Sequence, residues 1–206
     1  MDLYRQAPVK ALAVALVAVL FFAACGSNHD YSPKPRGYYR IDLPKKEYRA
    51  YQSAYPFTFM YPTYATMELD STPARNPKLQ KMQYLLNMQF KQLNGTLHLS
   101  YETITDKKIF NELIEDAHKL AFKHTVKATG IDEGRIYYPD RKVYGIYYTI
   151  DGNAASSVQF YLTDSVRHYI RGALYFNAAP QLDSIQPVLN FVKRDMDVMI
   201  KSFRWK

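Results

Sequence analysis

Between Val143 and Asn177 the chain passes through three short stretches of aromatic and β-branched residues, and these limit the fold more than any other feature. The first reads Val-Tyr-Gly-Ile-Tyr-Tyr-Thr-Ile and breaks at Asp151-Gly152-Asn153. The second, Ser-Val-Gln-Phe-Tyr-Leu, breaks at Thr163-Asp164-Ser165, and the third is Arg-His-Tyr-Ile-Arg-Gly-Ala-Leu-Tyr-Phe-Asn. Runs of this kind separated by Asp, Gly, Asn and Ser mark strand–turn–strand units. The pattern predicts three consecutive antiparallel strands forming the middle of a sheet. Val158, Phe160 and Leu162 alternate with Gln159 and Tyr161, so the first three belong on a core-facing side. The stretch carries neither a cofactor loop nor a nucleophile elbow. It is a scaffold.

The flanking sequence extends that sheet. Phe57, Phe59 and Tyr61 alternate with Thr58 and Met60 between two prolines and predict the first core strand. Ser71 to Lys78, with two prolines, reads as a loop. Tyr84–Phe90 and Thr96–Thr103 read as a hairpin around Lys91–Gly95, with Leu97, Leu99 and Tyr101 sharing one face. Asp106 is a helix cap. After it, Ile109, Phe110, Leu113, Ile114, Ala117, Leu120 and Ala121 recur at helical spacing through about Val126. Ile131–Tyr138 offers a further strand. Near the end, Asp183 or Ser184 caps a helix with Pro187 in its first turn. Its apolar stripe runs through Ile185, Val188, Leu189, Val192, Met196, Met199, Ile200 and Phe203. A chain of 206 residues that is 48% hydrophobic can bury one core. The expected class is α+β: an antiparallel sheet of about six to seven strands, with one inserted and one C-terminal helix packed on it.

The beginning of the chain obeys a different logic. Arg5 and Lys10 precede an unbroken apolar run, Ala11 to Ala24, that stops at Cys25, the chain's one cysteine. A spanning helix needs roughly 20 apolar residues, whereas this length and layout fit a signal peptide. Phe22-Ala23-Ala24 before the cysteine resembles a bacterial lipobox, although Phe22 stands where Leu is usual. A lone thiol has no internal disulfide partner, and lipidation gives it a role. The alternative is a cleaved secretory peptide, or an uncleaved anchor, followed by an incidental cysteine. Multiple acyl chains, at roughly 0.8 kcal/mol per buried CH₂, anchor stably. The expected division is therefore residues 1–24 as lipoprotein signal peptide, 25–36 as lipidated Cys25 and an extended tether, and 37–206 as one α+β domain. Gly26 stands where an inner-membrane retention signal has Asp, which favours the outer membrane.

Charge and aromatic content point to a binding role. The formal net charge of +8 falls to +7 once the leader, with Asp2, Arg5 and Lys10, is set aside. A basic surface seeks anionic partners, but export removes a nucleic-acid role. The 19 tyrosines suit half-buried strands, and they also suit an interface. Arg36, Tyr38, Tyr39 and Arg40 interleave cations with aromatics, a pattern for stacking or for covering the domain's edge. His98 falls on the polar side of its strand. Asp151, Gly152 and Asn153 form a turn that also suits a ligand-binding loop. Asp164, Ser165 and His168 lie close in sequence, yet nothing resembling Gly-x-Ser-x-Gly accompanies them. His118 and His124 are six apart, which is not a metal-binding spacing on a helix. No catalytic residue, cofactor, metal or small-molecule substrate is expected. The competing reading is an envelope glycan-binding module or hydrolase with a site near His98 and the Asp151–Asn153 turn.

Several segments resemble the GldD gliding-motility lipoprotein family. They are Tyr31-Ser-Pro-Lys-Pro-Arg-Gly-Tyr-Tyr-Arg-Ile-Asp-Leu-Pro44, Gly95-Thr-Leu-His-Leu-Ser-Tyr101, Leu113-Ile-Glu-Asp-Ala-His-Lys-Leu-Ala-Phe-Lys-His124 and Tyr144-Gly145. The clearest are Asp151-Gly-Asn-Ala-Ala-Ser-Ser-Val-Gln-Phe-Tyr-Leu-Thr-Asp164 and Arg171-Gly-Ala-Leu-Tyr-Phe-Asn177. The resemblance implies an envelope lipoprotein of the Bacteroidetes, tied to the gliding machinery and type IX secretion. It implies partners among other envelope proteins and no assigned catalytic residues. The element order also resembles the αβα arrangement of Mog1/PsbP-like domains, which speaks to fold alone.

Overall fold

The computed structural model describes residues 40–69, 84–178 and 181–206. The leader, Cys25, Arg36, Tyr38, Tyr39 and the expected Ser71–Lys78 loop lie outside the described residues. Three strands open the fold: β1 (Tyr48–Tyr51), β2 (Phe57–Pro62) and β3 (Thr66–Leu69). The hairpin β4 (Tyr84–Phe90) and β5 (Gly95–Thr103) follows, then helix α1 (Lys107–Phe122) and β6 (Ala128–Tyr138). The meander is β7 (Val143–Gly152), β8 (Ser156–Thr163) and β9 (His168–Phe176). Helix α2 (Leu182–Ser202) and a two-residue strand β10 (Arg204–Trp205) close the chain.

Seven strands form one antiparallel sheet in the order β3-β4-β5-β9-β8-β7-β6. None of the three meander strands is an edge, in keeping with their sparsely charged, aromatic-rich sequence. Alternation then divides the sheet between two helices. One face presents Leu97, Leu99, Tyr101, Val158, Phe160, Leu162, Ile170 and Leu174, packed with Leu189, Val192, Met196 and Met199 of α2. The other presents Tyr148, Tyr161 and Tyr169, packed with Leu113, Ala117 and Ala121 of α1. The class is α+β, in αβα layers. Phe160 lies opposite Gly172, and a Cβ on that glycine would stand 2.3 Å from the ring. Its missing side chain is what seats the phenylalanine.

The structure refines the expected sheet. Phe57 to Tyr61 does not join the large sheet; β2 pairs with β1 and β10 in a separate three-stranded sheet. Its aromatic face explains the separation. The rings of Phe57 and Phe59 lie 5.8 and 6.2 Å from Phe203, and Tyr51 stacks on Phe59 at 5.1 Å, so β2 acts as a lid on the same core. Met60 N–H donates to Ser202 Oγ at 2.8 Å and joins this lid to the end of α2.

Helix ends also depart from expectation. Asp106 caps α1 as read, its Oδ1 accepting from Ile109 N–H at 2.9 Å. The α-helix stops at Phe122 and tightens into a 3₁₀ turn over Lys123–Val126, where the apolar period fails and Val126 is 88% exposed. Helix α2 starts at Leu182, before both expected caps, so Pro187 lies beyond its first turn. Its cap comes from another element: Asn153 Oδ1 accepts from Leu182 N–H at 3.0 Å. A cap supplied across 29 residues cannot be seen by scanning the helix alone.

Candidate interaction surface

Among the described residues, His98 and the Asp151–Asn153 turn stand on different strands of the large sheet. His98 lies on the α1 side of β5, with its Nδ1 2.7 Å from Asn87 Oδ1 and its ring edge-on to Tyr175 at 5.7 Å. Two strands, β9 and β8, separate β5 from β7, where the Asp151–Asn153 turn begins. At a strand spacing of about 4.8 Å, that puts roughly 14 Å between them. Gly152 has φ +90, and a Cβ there would stand 2.8 Å from Thr129 N, against the bulge where β6 starts. Gly152 is therefore a backbone requirement, and Asn153 is a helix cap. Arg40 is exposed and pairs with Asp42 at 3.4 Å.

Asp164 and His168 are adjacent, but their side chains hydrogen-bond to different partners. Asp164 Oδ1 accepts from the N–H groups of Val166, Arg167 and His168 at 3.0, 2.8 and 2.8 Å. Burial alone would raise its pKa, but these three donors hold the carboxyl below the usual range. The imidazole turns elsewhere: its Nδ1 is 2.7 Å from Tyr101 Oη, and its ring stacks on Trp205 at 5.2 Å. The acid closes a turn, and the histidine seals the joint between two sheets. His124 is pushed below the ordinary histidine value by burial first, then by the Arg171 and Lys123 cations. Among the described residues, no group of three His, Cys, Asp or Glu could hold a metal ion.

Sequence reading missed a buried carboxylate. Asp195 of α2 is 1% exposed and accepts from Lys46 Nζ at 2.5 Å and Tyr48 Oη at 2.7 Å, with Tyr64 Oη on its second oxygen. The Lys46 ammonium also sits 3.7 Å over the Phe191 ring. Burial first, then the hydrogen bond to Asp195 and its negative charge, push the Tyr48 and Tyr64 hydroxyls far above the usual tyrosine range. The readable signal was Asp195 itself: it stands three after Val192 on the apolar stripe, a charge on a core face. On the opposite side of the sheet the half-buried Arg171 guanidinium donates to Oε1 of the buried Gln159.

A concavity lies on the α1 side of β6, β7 and β8. It encloses about 400 Å³ and is lined by Glu133, Arg135, Tyr137, Tyr144, Ile146 and Tyr161. Gly145 makes it possible: a Cβ there would come within 1.9 Å of Tyr161 O, so only glycine lets β7 close on β8 beneath it. Arg135 lies 4.6 Å over the Tyr137 ring, which meets Tyr144 at 5.5 Å. Glu133 faces His118 at 3.7 Å. Behind the rim, Tyr148 is pushed up to about 12 by burial and then by the Glu133 charge. Aromatic faces flanked by one acid and one base can grip a polypeptide chain. No helix among the described residues is long and apolar enough to cross a membrane.

Together these features define an α+β domain with a tyrosine-lined depression beside one edge of its large sheet. The chain belongs to the GldD gliding motility lipoprotein family, whose model matches residues 28–205. That is not a known enzyme family. No curated protein matches the chain.

Proposed function

We propose that the protein is a lipid-anchored, non-enzymatic component of the cell envelope that serves the gliding machinery and type IX secretion by binding other envelope proteins. The single observation that supports this most is the family match across residues 28–205, which takes in nearly the whole described domain. The geometry agrees with it. His98, the Asp151–Asn153 turn and the Asp164/His168 region each have a structural use, which favours binding over the competing hydrolase reading. Residues 1–24 serve as the signal peptide, Cys25 carries the lipid, and the domain stands on the periplasmic face of the outer membrane. No nucleic acid or small-molecule substrate takes part.

The test is crosslinking and affinity capture from intact envelopes, comparing the natural chain with Cys25→Ser. Motility or secretion components captured with the anchored chain, and reduced with the variant, are the expected result. Recovery of peptidoglycan or glycan fragments without any protein partner would overturn the reading.

A further inference from the structure

Strand β6 is eleven residues long and, among the described residues, pairs only with β7. An edge of that length leaves a row of backbone N–H and C=O groups open to another strand, and proteins usually guard such edges with proline, charged side chains, bulges or brevity. The opposite edge, β3, has only four residues. Strand β6 has neither proline nor lysine, its bulge is confined to Ala128/Gly130, its charges are of both signs, and it carries Tyr137 at 54% exposure. Its centre reads Glu133-Gly134-Arg135. Both charged side chains fall on the α1 side of the sheet, because they oppose Tyr148 and Ile146 of β7.

We propose that β6 pairs antiparallel with β6 of a second copy of this chain, across a two-fold axis at Gly134. A two-fold pairing sets side chains of like parity opposite one another, so few registers exist. Centred on Gly134, it places Glu133 opposite Arg135 of the second copy and Arg135 opposite its Glu133, while Ile131 and Tyr137 meet in the same reciprocal way. Moving the axis by one residue sets Glu133 against Glu133, or Arg135 against Arg135. Like charges directly opposite are unfavourable, so charge selects the register. Both charges are available: Glu133 has His118 no nearer than 3.7 Å, and Arg135 lies on an aromatic ring. Such an isologous contact closes on itself and stops at two copies. It joins the two seven-stranded sheets into one and brings a second Ile131 to the mouth of the tyrosine-lined depression. The contact does not depend on which machinery the protein serves.

The experiment uses the full chain in its membrane. Gly134→Cys puts a thiol on the axis, where it meets its own copy; the site has room, since the nearest atom to a Cβ there is 3.7 Å away. Mild oxidation is expected to give a two-chain disulfide product that the unsubstituted chain does not give. Adding Glu133→Arg or Arg135→Glu should lower its yield roughly ten-fold, because two attractive pairs become repulsive. Co-expressing those two charge variants should restore it. One chain is then basic at both positions and the other acidic at both, so each cross-strand pair again joins opposite charges. The proposal fails if the introduced thiol reacts with a thiol reagent yet gives no two-chain product. It also fails if the product ignores both charge reversals, or if that thiol links to a different protein instead.

Discussion

Asp195 shows how much one side chain can hold together. A carboxylate removed from water is costly unless its oxygens are satisfied, and here a lysine and two tyrosines satisfy them from the loop before β1, from β1, and from the β2–β3 connection. Removing it strands those three donors against a partly dry surface. Asp195→Ala should therefore lower unfolding free energy by about 3 kcal/mol in urea titrations. Asp195→Asn, which keeps an acceptor for the tyrosines, should lose less. A loss below about 0.5 kcal/mol for alanine, the ordinary range for surface substitutions, would show the cluster to be incidental. Asn153 gives the complementary lesson. A sequence reader sees Asp-Gly-Asn and writes turn, correctly, but cannot see that the last residue caps a helix that begins 29 positions later.

At the scale of elements, periodicity made most of the fold legible. The meander, the hairpin and both helices follow from alternation and three-to-four spacing, because each buries one face against the sheet. What the pattern could not supply was partner choice. The alternating rings of β2 are as good for a small capping sheet as for the large one, and the deciding contact is with Phe203, far along the chain. The same blindness hid the depression, whose floor depends on β7 and β8 meeting at Gly145. Gly145→Ala should destabilise by about 2–3 kcal/mol, because its methyl collides with main chain rather than a movable side chain. Gly134→Ala, with open contact distances, should be near neutral. Comparing the two melting curves isolates backbone closeness from the general effect of losing a glycine; equal shifts would refute the argument.

For the molecule as a whole, the tyrosines set the alkaline limit. Burial, first among the causes, raises Tyr48, Tyr51, Tyr64, Tyr147, Tyr148, Tyr161 and Tyr169 above the ordinary value. A phenol raised in the folded state adds stability that is whole below the unfolded value of about 10 and drains away as pH climbs through the folded one. Phenolate absorbance should thus rise in two stages, with a late fraction that ionises only as the fold is lost. All 19 tyrosines ionising together near pH ~10 with the secondary structure intact would contradict this. The paired Asp195 cluster carries a mechanical meaning as well. The described fold begins at Arg40, and soon afterwards Lys46 and Tyr48 are fastened to α2, near the other end of the chain. A chain held through Cys25, as proposed, is tugged from its N-terminal side. That tension reaches α2 before it can peel β1 from β2 one hydrogen bond at a time. The domain would then carry such a pull through α2 as well as through its leading strand.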